Sequence, residues 1–451
     1  MSTRKSEHRD ALPTHRQWLA SAMNSIFTAA FFSILRALDL QGGRSKRWTL
    51  KKVVYASLLM AFHSPRALTD RFEEARAAWV KMFPGAKRPG KSYQGFVKAR
   101  RRIPGKVLRA IKRHLRDHHR RIAQDYWRRS GWEVFSVDGT RVEVPRTKAN
   151  QKALGCAGRK KSGPQLSLTC LYHLGTGLPW AWQIGPGTES EQVHLRGMLD
   201  ELPEGSLLVA DAGFTGFELL TALLERKVNF LVRMGSNRKL LKGLEDVRVE
   251  THGEEVWFWP KKQQSKAPPL RLRLIRIEQP RRSPVCLVTN VLDRRALTDQ
   301  QIRQFYRRRW SQEVFYRSFK RTLGHYQMRS GSPEEARREL DWAMMAYLLM
   351  GLLSVEALIQ AGYDPWAWSP AASLRIIRRV LAGHGRLGRA RDLRVLLAKA
   401  VKDRYVRTGP KDAQNYPRKK TERPPGTPKI HEATEKEKAC AKRIYENMKA
   451  A

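Results

Sequence analysis

Apolar residues recur along this chain at two different periods, and the changes of period divide it. Over residues 1 to about 130 they return at helical spacing. Leu50 to Phe62 is almost wholly apolar, and a second helix, Ser64 to Phe83, opens on Ser-Pro and carries Leu68, Phe72, Ala75, Trp79 and Phe83 on one face. Lys91 to Arg102 and Lys106 to Tyr126 continue the helical pattern with many Lys and Arg between the apolar positions. From Trp132 the period shortens. A β-rich run reaches Asp138-Gly139, which reads as a tight turn into a second run, Arg141 to Val144. Leu166 to Tyr172 and Trp180 to Ile184 read as strands, Ser190 to Leu202 as a helix, and Leu207 to Ala210 as a fully buried strand that stops at Asp211.

Between Val228 and Asp293 the alternation is most regular; in LRLRLIRIE, from Leu270, apolar and basic residues take opposite faces. Helical spacing then returns. Tyr306 to Lys320 lies on one helix, Pro333 to Ala361 forms a long apolar helix expected to pack on the sheet, and basic helices follow near Ala371 to Ala382 and Arg389 to Tyr405. Gly409 to Pro428 is Pro-rich and polar and is expected to be disordered, with a last short helix from Ala433 to Lys449. The order of strands and helices predicts an α/β fold.

The helix from Tyr306 to Lys320 carries the candidate chemistry. Tyr306, Arg309, Glu313 and Lys320 follow one another at steps of three, four and seven, which on an α-helix keeps them within roughly 60° of arc. One carboxylate thus stands among two cations and a phenol, as on a phosphate-facing surface with one metal ligand in it. Phe305, Phe315, Phe319 and Leu323 form a separate apolar strip for packing. Arg317, four residues after Glu313, is either a fellow phosphate ligand or a local ion-pair partner. Asp138 and Asp211, each at or just past a strand end, supply two further carboxylates. A lone Asp-Gly is commonly a turn and a lone Asp after a strand is commonly a cap, so only the set of three points to metal-assisted chemistry.

Charge narrows the partner. The chain of 451 residues has 87 Lys and Arg against 42 acidic residues, a formal net charge of +45, which points to a polyanion, most simply nucleic acid. With 41% hydrophobic residues and 13 Trp it has enough core for two or three folded domains, unlike a small basic binder. Cys156, Cys170, Cys286 and Cys440 form no Cys-x-x-Cys pair, which suits a reducing cytoplasm. The N-terminus, MSTRKSEHRDALPTH, lacks the apolar core of a signal peptide, and the longest apolar run, Trp342 to Val355, is too short for a membrane span. His194 and His325 have no ligand-spaced partner and read as structural or surface residues.

Asp138, Asp211 and Glu313, the last inside Tyr-x2-Arg-x3-Glu-x6-Lys, resemble the DDE triad and YREK signature of bacterial cut-and-paste transposases, the insertion sequence 4 family. The resemblance covers roughly Trp132 to Ala361. It implies a ribonuclease-H-like catalytic core interrupted by a β-strand insertion, between a helical N-terminal DNA-binding region and a helical C-terminal region. The corresponding divisions are 1–130, 131–227 for the first part of the core, 228–295 for the insertion, 296–362 for the catalytic helix and the rest of the core, and 363–451 for a basic helical region with a flexible tail. It further implies two Mg2+ ions, replaceable by Mn2+, held by Asp138, Asp211 and Glu313, and DNA contacts from Tyr306, Arg309 and Lys320. Trp257 and Trp259, with Phe258 between them, are candidates for stacking on a distorted DNA end, although aromatic residues in a small sheet are more often core.

The implied activity is DNA cleavage at the element's terminal inverted repeats and joining of the 3′-hydroxyls to target DNA, by a homodimer on paired ends, in the bacterial cytoplasm and away from the membrane. Two alternatives share the composition: a ribonuclease-H-like nuclease without strand transfer, and a non-catalytic DNA-binding regulator derived from a transposase.

Overall fold

The structure, a computed structural model, describes residues 14–39, 47–64, 66–157, 163–244, 254–279, 282–383, 392–403 and 425–450. Its helices in chain order are α1 (His15–Ile26), α2 (Ala29–Leu38), α3 (Leu50–Phe62), α4 (Leu68–Met82), α5 (Tyr93–Arg101), α6 (Gly105–Ile122), α7 (Gln124–Trp127), α8 (Lys148–Leu154), α9 (Glu191–Arg196), α10 (Phe217–Glu225), α11 (Asp299–Arg317), α12 (Pro333–Gln360), α13 (Pro370–Ala382), α14 (Leu393–Leu397) and α15 (Glu435–Ala450). The strands are β1 (Val134–Glu143), β2 (Gln165–His173), β3 (Leu178–Pro186), β4 (Leu207–Ala210), β5 (Asn229–Arg233), β6 (Lys239–Lys242), β7 (Glu254–Phe258), β8 (Leu270–Gln279), β9 (Arg282–Thr289) and β10 (Lys429–Glu432). Two compact units result, Met1–Gln124 with Ser318–Lys402, and Asp125–Arg317 with Asp403–Ala451.

The first unit is helical. Thr28, Thr49 and Ser92 cap α2, α3 and α5 through their side-chain oxygens, which satisfies N–H groups that a helix start leaves unpaired. α3 is buried on nearly all sides, and α12 packs against it, α6, α13 and α14. By length and composition α12 could cross a bilayer, contrary to the reading of its apolar run as too short, yet 89% of its most apolar window is buried. It is a core helix of this unit. Arg100 and Arg101 both bind the Glu335 carboxylate, Arg101 at 2.9 Å, and fix α5 to the first turn of α12.

The second unit is built on one ten-stranded sheet in the order β10-β6-β7-β8-β9-β5-β4-β1-β2-β3. β1, β2 and β3 form an antiparallel meander, while β4 and β5 add to the other side of β1 in parallel. All four residues of β4, Leu-Leu-Val-Ala, are buried, as a strand in the middle of a covered sheet requires. One expectation changes here. Asp138-Gly139 is no turn: β1 runs straight through it, pairing Asp138 with Cys170 and Gly139 with Thr169, because β2 offers a partner along the whole length. The β-rich stretch expected as an insertion at 228–295 extends the same sheet. Its first strand, β5, pairs with β4, and β9 returns antiparallel to β5 to start the extension through β8, β7 and β6.

The expected helix at Ser190 to Leu202 is split into α9 and a 3-10 turn, Leu199–Glu201, after Gly197. Only Leu393 to Leu397 of the expected helix at Arg389 to Tyr405 is helical among the described residues. Residues 158–162, 245–253 and 404–424, the last holding most of the Pro-rich tail, lie outside the described residues.

Candidate active site

Sheet register brings the two aspartates together. β1 pairs with β4 at Val134↔Leu207, Phe135↔Leu208 and Ser136↔Val209, and continuing that register by two residues sets Asp138 level with Asp211. Residues at even steps share a face, so both side chains leave the same side of neighbouring strands. Each is tied down locally. Asp138 Oδ1 accepts from the Gly139 N–H at 2.9 Å, and Asp211 Oδ1 accepts from the Gly213 N–H at 2.8 Å, capping the 3-10 turn Ala212–Phe214.

A third carboxylate that the sequence reading did not single out joins them. Glu191, the first residue of α9, lies against Gly139 so closely that a Cβ there would come within 2.1 Å of its Oε1. This is where the glycine is needed: not for a turn but for room. The Gln192 side chain donates to the Gly213 carbonyl at 2.7 Å, and His194 is buried, sharing hydrogen bonds with Thr169 of β2 and with Glu189. α9 therefore bridges the strand that pairs with β1 and the turn that follows β4.

The electrostatics follow from this crowding. Burial pushes the Asp138 carboxyl up to about 7; the Gly139 N–H and the Arg309 guanidinium pull it back, and the negative charges of Asp211 and Glu191 add to the rise. Glu191 is raised as well, by burial and then by Asp211, against Arg141 and His194.

Across the sheet face, α11 packs on β1 and β4. Ile302, Phe305, Phe315 and Tyr316 are buried on its inner side, with Phe315 stacked on Tyr172 at 5.4 Å between ring centres. The register of the helix is fixed by polar groups. Gln312 is fully buried: its Oε1 accepts from Ser136 at 2.7 Å and its Nε2 donates to the Cys170 carbonyl at 2.7 Å. One turn on, the Tyr316 hydroxyl donates to the Asp138 carbonyl at 2.6 Å. Neither residue was among the candidates, since a Gln and a Tyr on a basic helix carry no pattern that marks them.

Glu313 follows Gln312 and is 39% exposed, while Arg309, 11% exposed, approaches it at 3.8 Å. The Arg309 guanidinium also lies over the Tyr306 ring at 5.6 Å, and its Nε is buried without a hydrogen-bond partner. Tyr306, Arg309 and Glu313 are thus brought together as their spacing predicts. Arg317 is exposed at the end of α11. Lys320 belongs to a π-helical turn, Ser318–Thr322, in the other compact unit, so the step of seven from Glu313 is not α-helical throughout. Phe319 and Leu323 are buried, as the apolar strip predicts. Trp310, next to Arg309, is 62% exposed, whereas Phe305, Phe315 and Tyr316 of the same helix are buried, and it was not anticipated.

The two tryptophans expected at a DNA surface are core residues. Trp257 and Trp259 are buried in the sheet extension, and Trp259 donates its indole N–H to the Ala267 carbonyl at 2.8 Å. No ring face is left for a base, since both pack within the sheet's own interior. His194 and His325 are buried, in keeping with structural roles.

Hard carboxylate oxygens are the donor set a divalent cation suits. As they lie, no three His, Cys, Asp or Glu side chains among the described residues are gathered closely enough to hold one ion. The set is assembled by register but not closed around a point.

Residues 129–349 match the family model for the transposase DDE domain. The transposase InsG for insertion sequence element IS4, from Escherichia coli strain K12, is 25% identical over 354 residues, covering 75% of this chain and 77% of its own. Among solved structures, a piggyBac transposase synaptic complex with hairpin DNA aligns over 90% of each chain at 12% identity and a TM-score of 0.44.

Proposed function

We propose, from the match of residues 129–349 to the transposase DDE domain and the likeness to a transposase of insertion sequence element IS4, that this protein cuts DNA at the ends of its own element and joins the freed 3′-hydroxyls to target DNA. One observation carries the reading most directly: the β1–β4 register, continued by two residues, sets Asp138 level with Asp211, and α11, which bears Glu313, is pinned to β1 through Gln312 and Tyr316. The strand order β3-β2-β1-β4-β5, antiparallel then parallel, supports a ribonuclease-H-like core.

Asp138, Asp211 and Glu313 would hold divalent metal, Mg2+ or Mn2+. When bound, two such ions activate the attacking oxygen and stabilise the leaving one in phosphodiester exchange. The chain's own groups do the rest. Arg309, with its buried unpaired Nε, donates to a phosphate oxygen beside the scissile bond, and Tyr306, under the guanidinium, donates its hydroxyl to a neighbouring phosphate. Lys320 and Arg317 add positive charge along the backbone. The basic helices of 1–130 read the terminal inverted repeats, and two copies work on paired ends in the bacterial cytoplasm, at the nucleoid.

The test is cleavage and strand transfer on DNA carrying the inverted repeats that flank the gene. Wild-type protein should nick and join only with Mg2+ or Mn2+, and Asp138→Ala, Asp211→Ala and Glu313→Ala should each do neither. Cleavage without joining would favour the nuclease, and binding without cleavage the regulator.

A further inference from the structure

A cleft of about 340 Å³ opens in the helical unit, with walls from α1, α4 and α13. Arg16 of α1, Lys81 in the last turn of α4 and Arg378 of α13 line it, together with His63 and Ser64 just past the end of α3. Glu74 is the one acid among the lining residues, and it is already engaged: its Oε2 lies 2.6 Å from His63 Nδ1.

Two of the cations are fixed to backbone. Arg16 donates its Nε to the Leu381 carbonyl at 2.7 Å and an Nη2 hydrogen to the Ala382 carbonyl. Residue 383 is Gly to make room for it, because at a φ of +67° a Cβ there would fall 2.4 Å from the Arg16 Cζ. Arg378 donates its Nε to the Phe62 carbonyl at 2.8 Å, which holds its guanidinium at the wall of the cleft. Burial and the charge of Arg71 both work against the charge of Arg378. A solvated basic face calls for none of this.

His63 gives the sign of the missing partner. Its side chain is 13% exposed, and its Nε2 is buried without a hydrogen-bond partner. With Nδ1 turned to the Glu74 carboxylate and carrying the ring's proton, Nε2 donates only when the imidazole is charged. The positive charges of Arg378 and Arg71 oppose that state. An anion between Arg378 and Lys81 removes the opposition and gives Nε2 an acceptor.

We propose that this cleft is a phosphate-binding site, in which Arg378, Lys81 and the Nε2 of His63 hold one phosphate group. A chain with a formal net charge of +45 meets that group on the backbone of DNA and as free phosphate. Asp138, Asp211 and Glu313 play no part in it, so the test needs no cleavage, and failure here leaves the metal-dependent reading untouched.

The experiment uses the full-length chain without added metal and two probes. Inorganic phosphate at constant ionic strength is followed by isothermal titration, and a DNA duplex by fluorescence anisotropy over a series of salt concentrations. Lys81→Gln and Arg378→Gln should each raise the phosphate Kd by roughly tenfold. Lys436→Gln, at an exposed position on α15, is the control and should bind phosphate as wild type does. Because Arg378 is also tied to Phe62, Lys81→Gln decides the outcome if Arg378→Gln lowers the melting temperature. A salt slope for the duplex smaller by about one in Lys81→Gln identifies a backbone phosphate, and an unchanged slope beside a raised phosphate Kd identifies free phosphate. Should Lys81→Gln match wild type with both probes, the cleft is not a phosphate site.

Discussion

The carboxylates of the site are held in two unlike ways. Asp138 and Asp211 stand at neighbouring strands and are locked by the N–H groups of Gly139 and Gly213, in a place where burial, and then the charges of Asp211 and Glu191, work against the charge of Asp138. Glu313 stands on a helix, more than a third exposed, with Arg309 beside it, and its position is decided by other residues of that helix. The strand half is accurate but electrostatically costly. The helix half costs little locally, and its accuracy is borrowed from Gln312 and Tyr316.

The comparison can be broken most forcefully by activity. Asp138→Asn and Glu313→Gln should each reduce metal-dependent strand cleavage by about a thousandfold or more, measured on the element's own ends, because charge stabilisation at the reacting phosphate is the main work of the site. Both variants being inactive makes the two halves equal in function.

Stability should then separate them. Since the Asp138 carboxyl has its proton affinity raised on folding, the folded state binds more protons than the unfolded state between about pH 4 and pH 7. Wild-type stability therefore falls as pH rises through that window in the metal-free protein. Asp138→Asn should be more stable than wild type at pH 8 by on the order of 2–4 kcal/mol, with the difference vanishing near pH 4. Glu313→Gln should shift stability by no more than about 0.5 kcal/mol at either pH. Denaturant unfolding at both pH values with a chelator measures this, and equal effects would abolish the contrast.

The borrowed accuracy of α11 predicts a smaller loss. Gln312→Leu leaves the Ser136 hydroxyl and the Cys170 carbonyl without their side-chain partner, at a cost of about 1–3 kcal/mol. Cleavage should fall through kcat rather than through DNA affinity, because the helix keeps its cations but loses its register. The smallest effect belongs outside the site. Trp257→Phe and Trp259→Phe should leave affinity for the DNA end within about twofold, read by fluorescence anisotropy, since both indoles are interior.

Much of this was legible in the chain. Leu207 to Ala210 stands out because a short, wholly apolar run closed by Asp has few other uses, and α3 and α12 follow from long apolar stretches with clear starts. The spacing of Tyr306, Arg309 and Glu313 survives because an α-helix converts sequence steps into angles. Where the helix widens at Ser318 that conversion stops, and Lys320 could not be placed by counting. Asp138-Gly139 was misread because Asp-Gly signals a turn, whereas here the glycine clears space for a side chain from 52 positions further on. Glu191, Gln312 and Tyr316 were invisible for a related reason: their importance comes from what tertiary packing puts beside them. The aromatic cluster at Trp257 to Trp259 shows the reverse, a conspicuous run whose use is packing.

The outermost strand beside β6 comes from Lys429 to Glu432, roughly 190 residues later in the chain, and lies parallel to it. During synthesis, β6 through β9 emerge long before their last neighbour, so one rim of the sheet waits with unpaired backbone groups. Occupying that rim is the final act of building this half of the protein. Loss of residues after 424 would therefore be felt first as self-association of nascent or truncated chains, through an edge open to strands from other copies, while the aspartate pair at the far side of β5 could still form.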